Sequence, residues 1–129
     1  MRATHPITIV DMEAGLEHLS RGTARHVDTL LVILEPYYKA LETARRAAQL
    51  GRELGVKRIL AVANKIRDEA DAAAVREFAA AHDLSIAGEV PLDDRIRKAD
   101  LAGTAPIDVP DSPAVAAIRS LAARLMAES

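Results

Sequence analysis

The chain of 129 residues contains no cysteine, so disulfide bonds, thiolate metal sites and thiol nucleophiles are all excluded. Aromatic residues make up only 2% of the chain, whereas half of its residues are apolar. The core must therefore be built from leucine, isoleucine, valine and alanine. No apolar run approaches the roughly 20 residues of a membrane-spanning helix. The net charge of −2 gives no attraction to nucleic acid or to an anionic membrane surface.

The length is that of one domain, covering residues 1–129. The start of the sequence lacks the apolar stretch of a signal peptide, so the expected location is the cytoplasm. No internal repeat or linker interrupts the chain, and we expect a single hydrophobic core.

Four short apolar runs predict the strands. They cover residues 7–10, 29–34, 58–63 and 86–90, and they are rich in valine, isoleucine and leucine. Runs that do not alternate with polar residues are typical of strands buried on both faces, as in a parallel sheet covered by helices. The predicted fold is therefore α/β, with a mainly parallel sheet of about four strands and flanking helices.

Helix signals lie between and after these runs. One predicted helix runs from about Lys39, with Gly55 as its left-handed cap. Glu42 and Arg46, four residues apart, can pair on its exposed face. Asp68 is the expected N-cap of a second helix, and Ser112 followed by proline predicts the start of the last helix.

The first candidate site lies where the run 7–10 ends. Asp11 follows that run directly, and Gly15 comes four residues later. Ligands of parallel sheets bind at the carboxyl ends of strands. An aspartate there can hold Mg²⁺ through water, and a glycine lets the backbone N–H approach a phosphate. An ordinary strand end with a glycine turn explains the same residues, so the pattern alone leaves both interpretations open.

The second candidate site follows the third and fourth runs. Asn64 comes at the end of the run 58–63, where a carboxamide can read a donor and an acceptor on a purine edge. Pro91 and Leu92 follow the fourth run and shape a loop that could flank a base. A simple turn at each strand end is again the alternative.

Together these motifs resemble the MinD/ParA-like P-loop ATPases, and within them the CooC-type accessory ATPases of carbon monoxide dehydrogenase maturation. The resemblance is carried by residues 11–23, by Glu35-Pro36 and by Asn64-Lys65, and it covers roughly residues 7–107. It implies that Asp11 holds Mg²⁺, that Gly15 contacts the γ-phosphate of ATP, and that Asn64, Pro91 and Leu92 bind adenine. It also implies a metalloenzyme client that receives nickel.

The sequence departs from this family at its beginning. The Gly-x-x-x-x-Gly-Lys-Ser/Thr loop, with its phosphate-binding lysines, is absent. The chain thus resembles the second half of the ATPase domain. Alone it is expected to be inactive as an ATPase, and ATP and Mg²⁺ are expected only with a partner chain that supplies the Walker A half. A non-catalytic interaction module or a truncated remnant is the alternative.

The missing half also bears on assembly. In the resembled fold, the phosphate-loop strand lies between the strand ending at Asp11 and the strand 29–34. Unpaired apolar edges invite pairing with other chains. We therefore expect a homo-oligomer or a domain swap that covers the gap.

Overall fold

The computed structural model describes residues 7–12 and 20–128. The elements in chain order are helix α1 (Arg21–Ala24), strand β1 (Thr29–Leu34), helix α2 (Tyr38–Glu53), strand β2 (Arg58–Ile66), helix α3 (Glu69–Ala81), strand β3 (Ser85–Pro91), helix α4 (Asp94–Leu101), a 3-10 turn (Pro106–Asp108) and helix α5 (Pro113–Glu128). No helix in these two ranges is long and apolar enough to cross a bilayer.

The three strands form one parallel sheet in the order β1-β2-β3. The register of β1 on β2 is unbroken from Thr29↔Arg58 to Leu34↔Ala63. The pairing of β2 with β3 is irregular, with register shifts between Ala61 and Val62 and again beyond Ala63. The predicted α/β class and parallel sheet are confirmed, with three strands in place of about four.

The predicted strand at residues 7–10 was wrong. Residues 7–12 have no regular secondary structure, and Ile9 is 89% exposed. A strand needs a neighbour to satisfy its backbone N–H and C=O groups. In the resembled fold that neighbour is the phosphate-loop strand, which this sequence lacks. The apolar run therefore has the composition of a strand without the partner that would make it one.

The sheet is covered on its two faces by different helices. Side chains of successive strand residues point to opposite faces. Ala61 and Ala63 belong to the larger core cluster, which also contains Leu34 of β1, buried side chains of α2 and Val75 of α3. Val62 points the other way and packs in a second cluster with Val90 and with Ala114 of α5. Helices α2 and α3 thus lie on one face and α5 on the other.

The helix boundaries follow the sequence signals closely. Asp68 caps α3 by accepting a hydrogen bond from the Asp71 amide at 2.9 Å. Gly55 has φ +91 just after α2, as a left-handed cap requires. The predicted Glu42–Arg46 pair was wrong: Glu42 pairs with Arg45 at 2.9 Å, because residues three apart are also neighbours on a helix.

Gly51 sets how closely α2 approaches the sheet. A Cβ atom at this position would lie 2.7 Å from Leu30 Cδ2 and 3.3 Å from Ile59 Cδ1. Both side chains belong to strands under α2, so with a larger residue here either the Leu30 side chain or the helix would have to shift. This close approach lies near the amino ends of β1 and β2, at the opposite end of these strands from the candidate site.

Candidate functional site at the carboxyl ends of the strands

The ends of all three parallel strands meet at one edge of the sheet. Leu34 of β1 pairs with Ala63 of β2, so the next residues, Glu35 and Asn64, are side by side. Strand β3 ends at Pro91, which pairs with Ile66. The candidate residues after the second and third strands are therefore brought to a common edge, where ligands of open α/β sheets bind.

Asn64 and Lys65 occupy an irregular stretch near the end of β2. Asn64 is partly buried, and the backbone of Lys65 is left-handed with φ 56. A non-glycine residue in this region carries a conformational cost and is often found at functional sites. The Lys65 ammonium lies 3.7 Å from the Glu35 carboxylate. This ion pair joins the ends of β1 and β2 next to Asn64.

Pro91 and Leu92 form the other side of this edge. The Leu92 amide donates a hydrogen bond to the Ile66 carbonyl at 2.9 Å, so the pairing of β2 and β3 continues past Pro91. Pro91 has no N–H to donate, and the Leu92 side chain is 53% exposed. An apolar surface therefore stands next to the strand that carries Asn64, which suits the face of a flat aromatic base.

A buried polar link fixes the loop that follows. Asp93 accepts hydrogen bonds from the Arg95 amide at 3.0 Å and from the Ser112 hydroxyl at 2.5 Å. The Ser112 oxygen in turn accepts a hydrogen bond from the Val115 amide at 3.1 Å. Asp93 thus caps α4 and Ser112 caps α5. The hydrogen bond from Ser112 is the main reason that the pKa of Asp93 is lowered, with the Arg95 amide adding to it.

Asp11 precedes α1 and is not part of the sheet. It is exposed and belongs to the segment without secondary structure. Its neighbour Met12 lines a groove between β1 and α2, so the segment passes near the free edge of β1. Within the described ranges, no hydrogen bond joins Asp11 to Asn64. Gly15 lies outside the described residues.

The donor set for a metal ion is sparse. Within residues 7–12 and 20–128, no three histidine, aspartate or glutamate side chains are grouped so as to hold a metal ion. One carboxylate at Asp11 is a poor Mg²⁺ site unless phosphate oxygens and water complete the octahedron. The Mg²⁺ role of Asp11 and the adenine role of Asn64, Pro91 and Leu92 stay predictions.

Two features of the edge were not predicted from the sequence. One is the Glu35–Lys65 ion pair, and the other is the Asp93–Ser112 link between two helix caps. The first depends on the register between β1 and β2, which places Glu35 beside Asn64 and which the apolar pattern of the sequence does not specify. The second is a hydrogen bond between residues that are 19 apart in sequence. Helix α4 lies between them, and its short, polar sequence was not indicated by the apolar pattern.

Solved structures of known proteins share this fold. MinD of Aquifex aeolicus superimposes with a TM-score of 0.68 and 25% identity, over 79% of this chain and 45% of MinD. A ParA family ATPase of Chlorobium tepidum gives a TM-score of 0.67 over 87% of this chain and 46% of that protein, with 21% identity. The architecture is therefore that of part of a MinD/ParA-type P-loop ATPase domain, as the motifs predicted.

Sequence comparison points to a particular group. The carbon monoxide dehydrogenase accessory protein CooC of Rhodospirillum rubrum is 40% identical over 101 residues, which are 78% of this chain and 38% of CooC. Two ATP-binding proteins of Methanocaldococcus jannaschii, both uncharacterized, are 37% and 36% identical over 98 and 110 residues, covering 75% and 84% of this chain. No family model matches. The chain therefore matches a fragment of a CooC-type, MinD/ParA-like ATPase, and its sequence contains no Walker A motif.

The match covers only part of each relative. The chain spans 38%, 38% and 43% of the lengths of these three proteins. What the whole proteins bind and do therefore bears on this chain only through the residues it shares with them.

Proposed function

We propose that this chain is the adenine-binding part of an ATP-binding domain, and that it needs a second chain to bind the phosphates. The observation that supports this most directly is the position of Asn64. Its carboxamide stands partly buried at the carboxyl edge of the sheet, next to the strand end formed by Pro91 and Leu92. Such an arrangement offers one donor and one acceptor for a base edge, together with an apolar surface for its face.

The separate roles proposed for the two chains follow from the motif that this sequence lacks. Phosphoryl transfer depends on positioning the phosphates and neutralising their charge, and the glycine-rich loop with its lysines is absent. Asp11 and Gly15 are proposed to act on Mg²⁺ and the γ-phosphate only when a partner supplies that loop. The chain alone should therefore hydrolyse ATP no faster than its Asp11→Ala variant does.

The biological setting is proposed from the relatives. CooC of Rhodospirillum rubrum is an accessory protein of carbon monoxide dehydrogenase. By that similarity, the completed assembly would serve the maturation of a nickel enzyme in the cytoplasm, with the metalloenzyme as its client.

The test is a titration of the isotope-labelled chain with adenosine and with ATP, followed by NMR. Base contacts without phosphate contacts leave few interactions to offset the entropy of association, so both ligands should bind at about millimolar Kd. Asn64→Ala should weaken both equally. Gln49→Ala is the matched control, because it removes an exposed carboxamide on α2, far along the chain from the site.

One specific observation favours a second candidate, a non-catalytic interaction module. Tyr37 and Tyr38, the two tyrosines of the chain, are both exposed at the start of α2. Exposed tyrosines are enriched in protein interfaces. Chemical shift changes confined to the region of these tyrosines, or none at high millimolar ligand, would place this candidate ahead of nucleotide binding.

A further inference from the structure

Strand β2 contains a β-bulge near its carboxyl end. It pairs with β3 at Ala63 and again at Ile66, but the partners of these two residues on β3 are only two positions apart. Asn64 and Lys65 therefore stand opposite the single residue Val90. A bulge re-aims the side chains around it and is frequent next to functional sites. Within the described ranges, the partly buried carboxamide of Asn64 makes no hydrogen bond to another residue, so it is available to a ligand.

The backbone of this bulge has an unfavourable conformation. Lys65 has φ 56, a left-handed value that residues with long side chains seldom adopt. Asp83 and Asp111 share this conformation, but aspartate tolerates it better because its short side chain can bond to the nearby backbone. An unfavourable conformation persists only where the surrounding contacts impose it. The contacts that flank the bulge therefore decide where the Asn64 side chain is presented.

Asp71 anchors the chain just after the bulge. Its carboxylate accepts three hydrogen bonds from Arg67: from the backbone amide at 3.0 Å, from Nε at 2.9 Å and from Nη2 at 3.2 Å. Asp71 is 8% exposed, and among the described residues it is the only buried one that carries a charge. A buried carboxylate is costly unless it is paired and hydrogen-bonded. Asp71 and Arg67 therefore hold each other in place.

These hydrogen bonds differ from ordinary helix capping. Asp68 already caps α3 by accepting a hydrogen bond from the Asp71 amide. In a capping box, an acidic residue at the position of Asp71 accepts a hydrogen bond from the amide of the capping residue itself. Asp71 reaches one residue further back, to the amide and the side chain of Arg67. It thereby ties the first turn of α3 to the end of β2.

The other side-chain contact of the bulge is weaker. The Lys65 ammonium lies 3.7 Å from the Glu35 carboxylate, and the two side chains are 52% and 28% exposed. An ion pair in contact with water contributes little to stability. The buried carboxylate of Asp71 is therefore the side chain expected to hold this segment.

We propose that Asp71 is a positioning residue for Asn64: through Arg67, it holds the bulge in the conformation that presents the Asn64 carboxamide at the sheet edge. The Ile66 carbonyl also accepts a hydrogen bond from the Leu92 amide at 2.9 Å. The chain is thus fixed after the bulge by β3 and by α3, and loss of Asp71 removes the second of these attachments. The inference rests on the proposed function for the role of Asn64 toward a base, whereas the effect on the bulge needs no ligand.

The first measurement is made by NMR without ligand. A positive φ brings the amide proton of Lys65 close to its own Hα, which gives a strong nuclear Overhauser effect between them. Asp71→Ala should weaken this signal and shift the side-chain amide signals of Asn64. Glu69→Ala is the matched control and should change neither, because Glu69 lies in the same first turn and pairs with Arg76 at 2.9 Å but is exposed.

A second variant covers the case in which Asp71→Ala does not fold. Arg67→Ala removes two of the three hydrogen bonds and keeps the one from the backbone amide. The Arg67 side chain is 55% exposed, so its loss leaves the core intact. It should change the Lys65 and Asn64 signals in the same direction as Asp71→Ala and by a smaller amount.

The second measurement is the affinity for adenosine, which is uncharged and therefore insensitive to a change in the net charge of the protein. Asp71→Ala should weaken binding at least about threefold, and Glu69→Ala should leave it unchanged. The double variant Asn64→Ala with Asp71→Ala should bind no more weakly than Asn64→Ala alone, because Asp71 acts through Asn64. A residue that only stabilised the fold would add its own effect to that of Asn64.

The outcomes separate this inference from the proposed function. Unchanged Lys65 and Asn64 signals in Asp71→Ala and Arg67→Ala would overturn the inference, as would equal effects of Asp71→Ala and Glu69→Ala or additive losses of affinity in the double variant. A bulge altered by Asp71→Ala, in a chain that binds no adenosine, would support the inference and contradict the proposed function. Adenosine binding that depends on Asn64 but not on Asp71 would do the reverse.

Discussion

Removal of one hydroxyl group tests whether the link between Asp93 and Ser112 holds α5 on the sheet. Ser112 is 4% exposed, donates to Asp93 and accepts a hydrogen bond from the Val115 amide. The variant Ser112→Ala leaves that amide without its cap at the start of α5. It also removes the hydroxyl group that donates a hydrogen bond to the Asp93 carboxylate.

The expected cost follows from the burial of the cap. Replacing an N-cap serine with alanine costs about 0.5–2 kcal/mol of stability. The upper part of that range is expected here, about 1–2 kcal/mol, because a buried amide left without a partner is more costly than one in water. With a urea m value of about 2 kcal/mol per molar, in the middle of the typical range, the midpoint of unfolding should fall by roughly 0.5–1 M.

Urea unfolding at neutral pH, followed by far-ultraviolet circular dichroism, measures this change. Ser120→Ala is the control, since Ser120 is an exposed serine within α5, and its substitution should change stability by less than about 0.5 kcal/mol. A Ser112→Ala midpoint equal to that of Ser120→Ala would refute the assignment of the hydroxyl as a stabilising link.

Acid provides a second check on the same link. Because Ser112 lowers the pKa of Asp93, the stabilisation from this pair is present above the usual carboxyl pKa. It is lost as the pH falls through the lowered value. The difference between wild type and Ser112→Ala should therefore shrink in acid, and a difference that grows in acid would contradict the direction of the shift.

Three further predictions concern stability and are measured by the same unfolding assay. Leu34→Ala, at a fully buried position of β1, should lower the free energy of unfolding by about 2–5 kcal/mol. Ile33→Ala, at the half-exposed position just before it, should lower it by less than about 1 kcal/mol, and similar losses for the two variants would mean that both faces of β1 are covered alike. Asp71→Asn should destabilise the protein at neutral pH and less so in acid, because Arg67 lowers the pKa of Asp71. A loss of stability that is the same at all pH values would argue against the ion pair. Gly51→Ala should destabilise, although alanine favours helices, because its Cβ would meet the Leu30 side chain; a stabilising effect would show that α2 can move outward freely.

Much of the fold could be predicted because its strands satisfy their hydrogen bonds within the chain. The run at 29–34 became β1 with the predicted boundaries, and the runs at 58–63 and 86–90 became β2 and β3 with a few residues added. The run at 7–10 has the same composition but no neighbour in this chain. Composition indicates which segments can form strands, whereas pairing decides which ones do.

The candidate site also contains residues whose position could be predicted from the sequence and residues whose position could not. Asn64, Pro91 and Leu92 reach one edge because parallel strands end together, which the sequence pattern was sufficient to predict. Asp11 depended on a strand that does not form, so its position relative to the edge could not be derived. The Glu35–Lys65 pair depends on the register between two strands, and apolar patterns do not specify register.

The sequence of β1 makes the free chain prone to aggregate. Strand β1 has six residues of high β propensity, five of them apolar, with no charge and no proline, and this is the composition of segments that stack into fibrils. Binding to the proposed partner chain would be first order in the concentration of this chain, whereas stacking into fibrils is of higher order. The outcome would then depend on the relative amounts in which the two polypeptides are made. Synthesis in excess should send the surplus to aggregates or proteases, and matched synthesis should spare it. Under the proposed function, the amount of this protein that accumulates in a cell would then report the supply of the proposed partner chain.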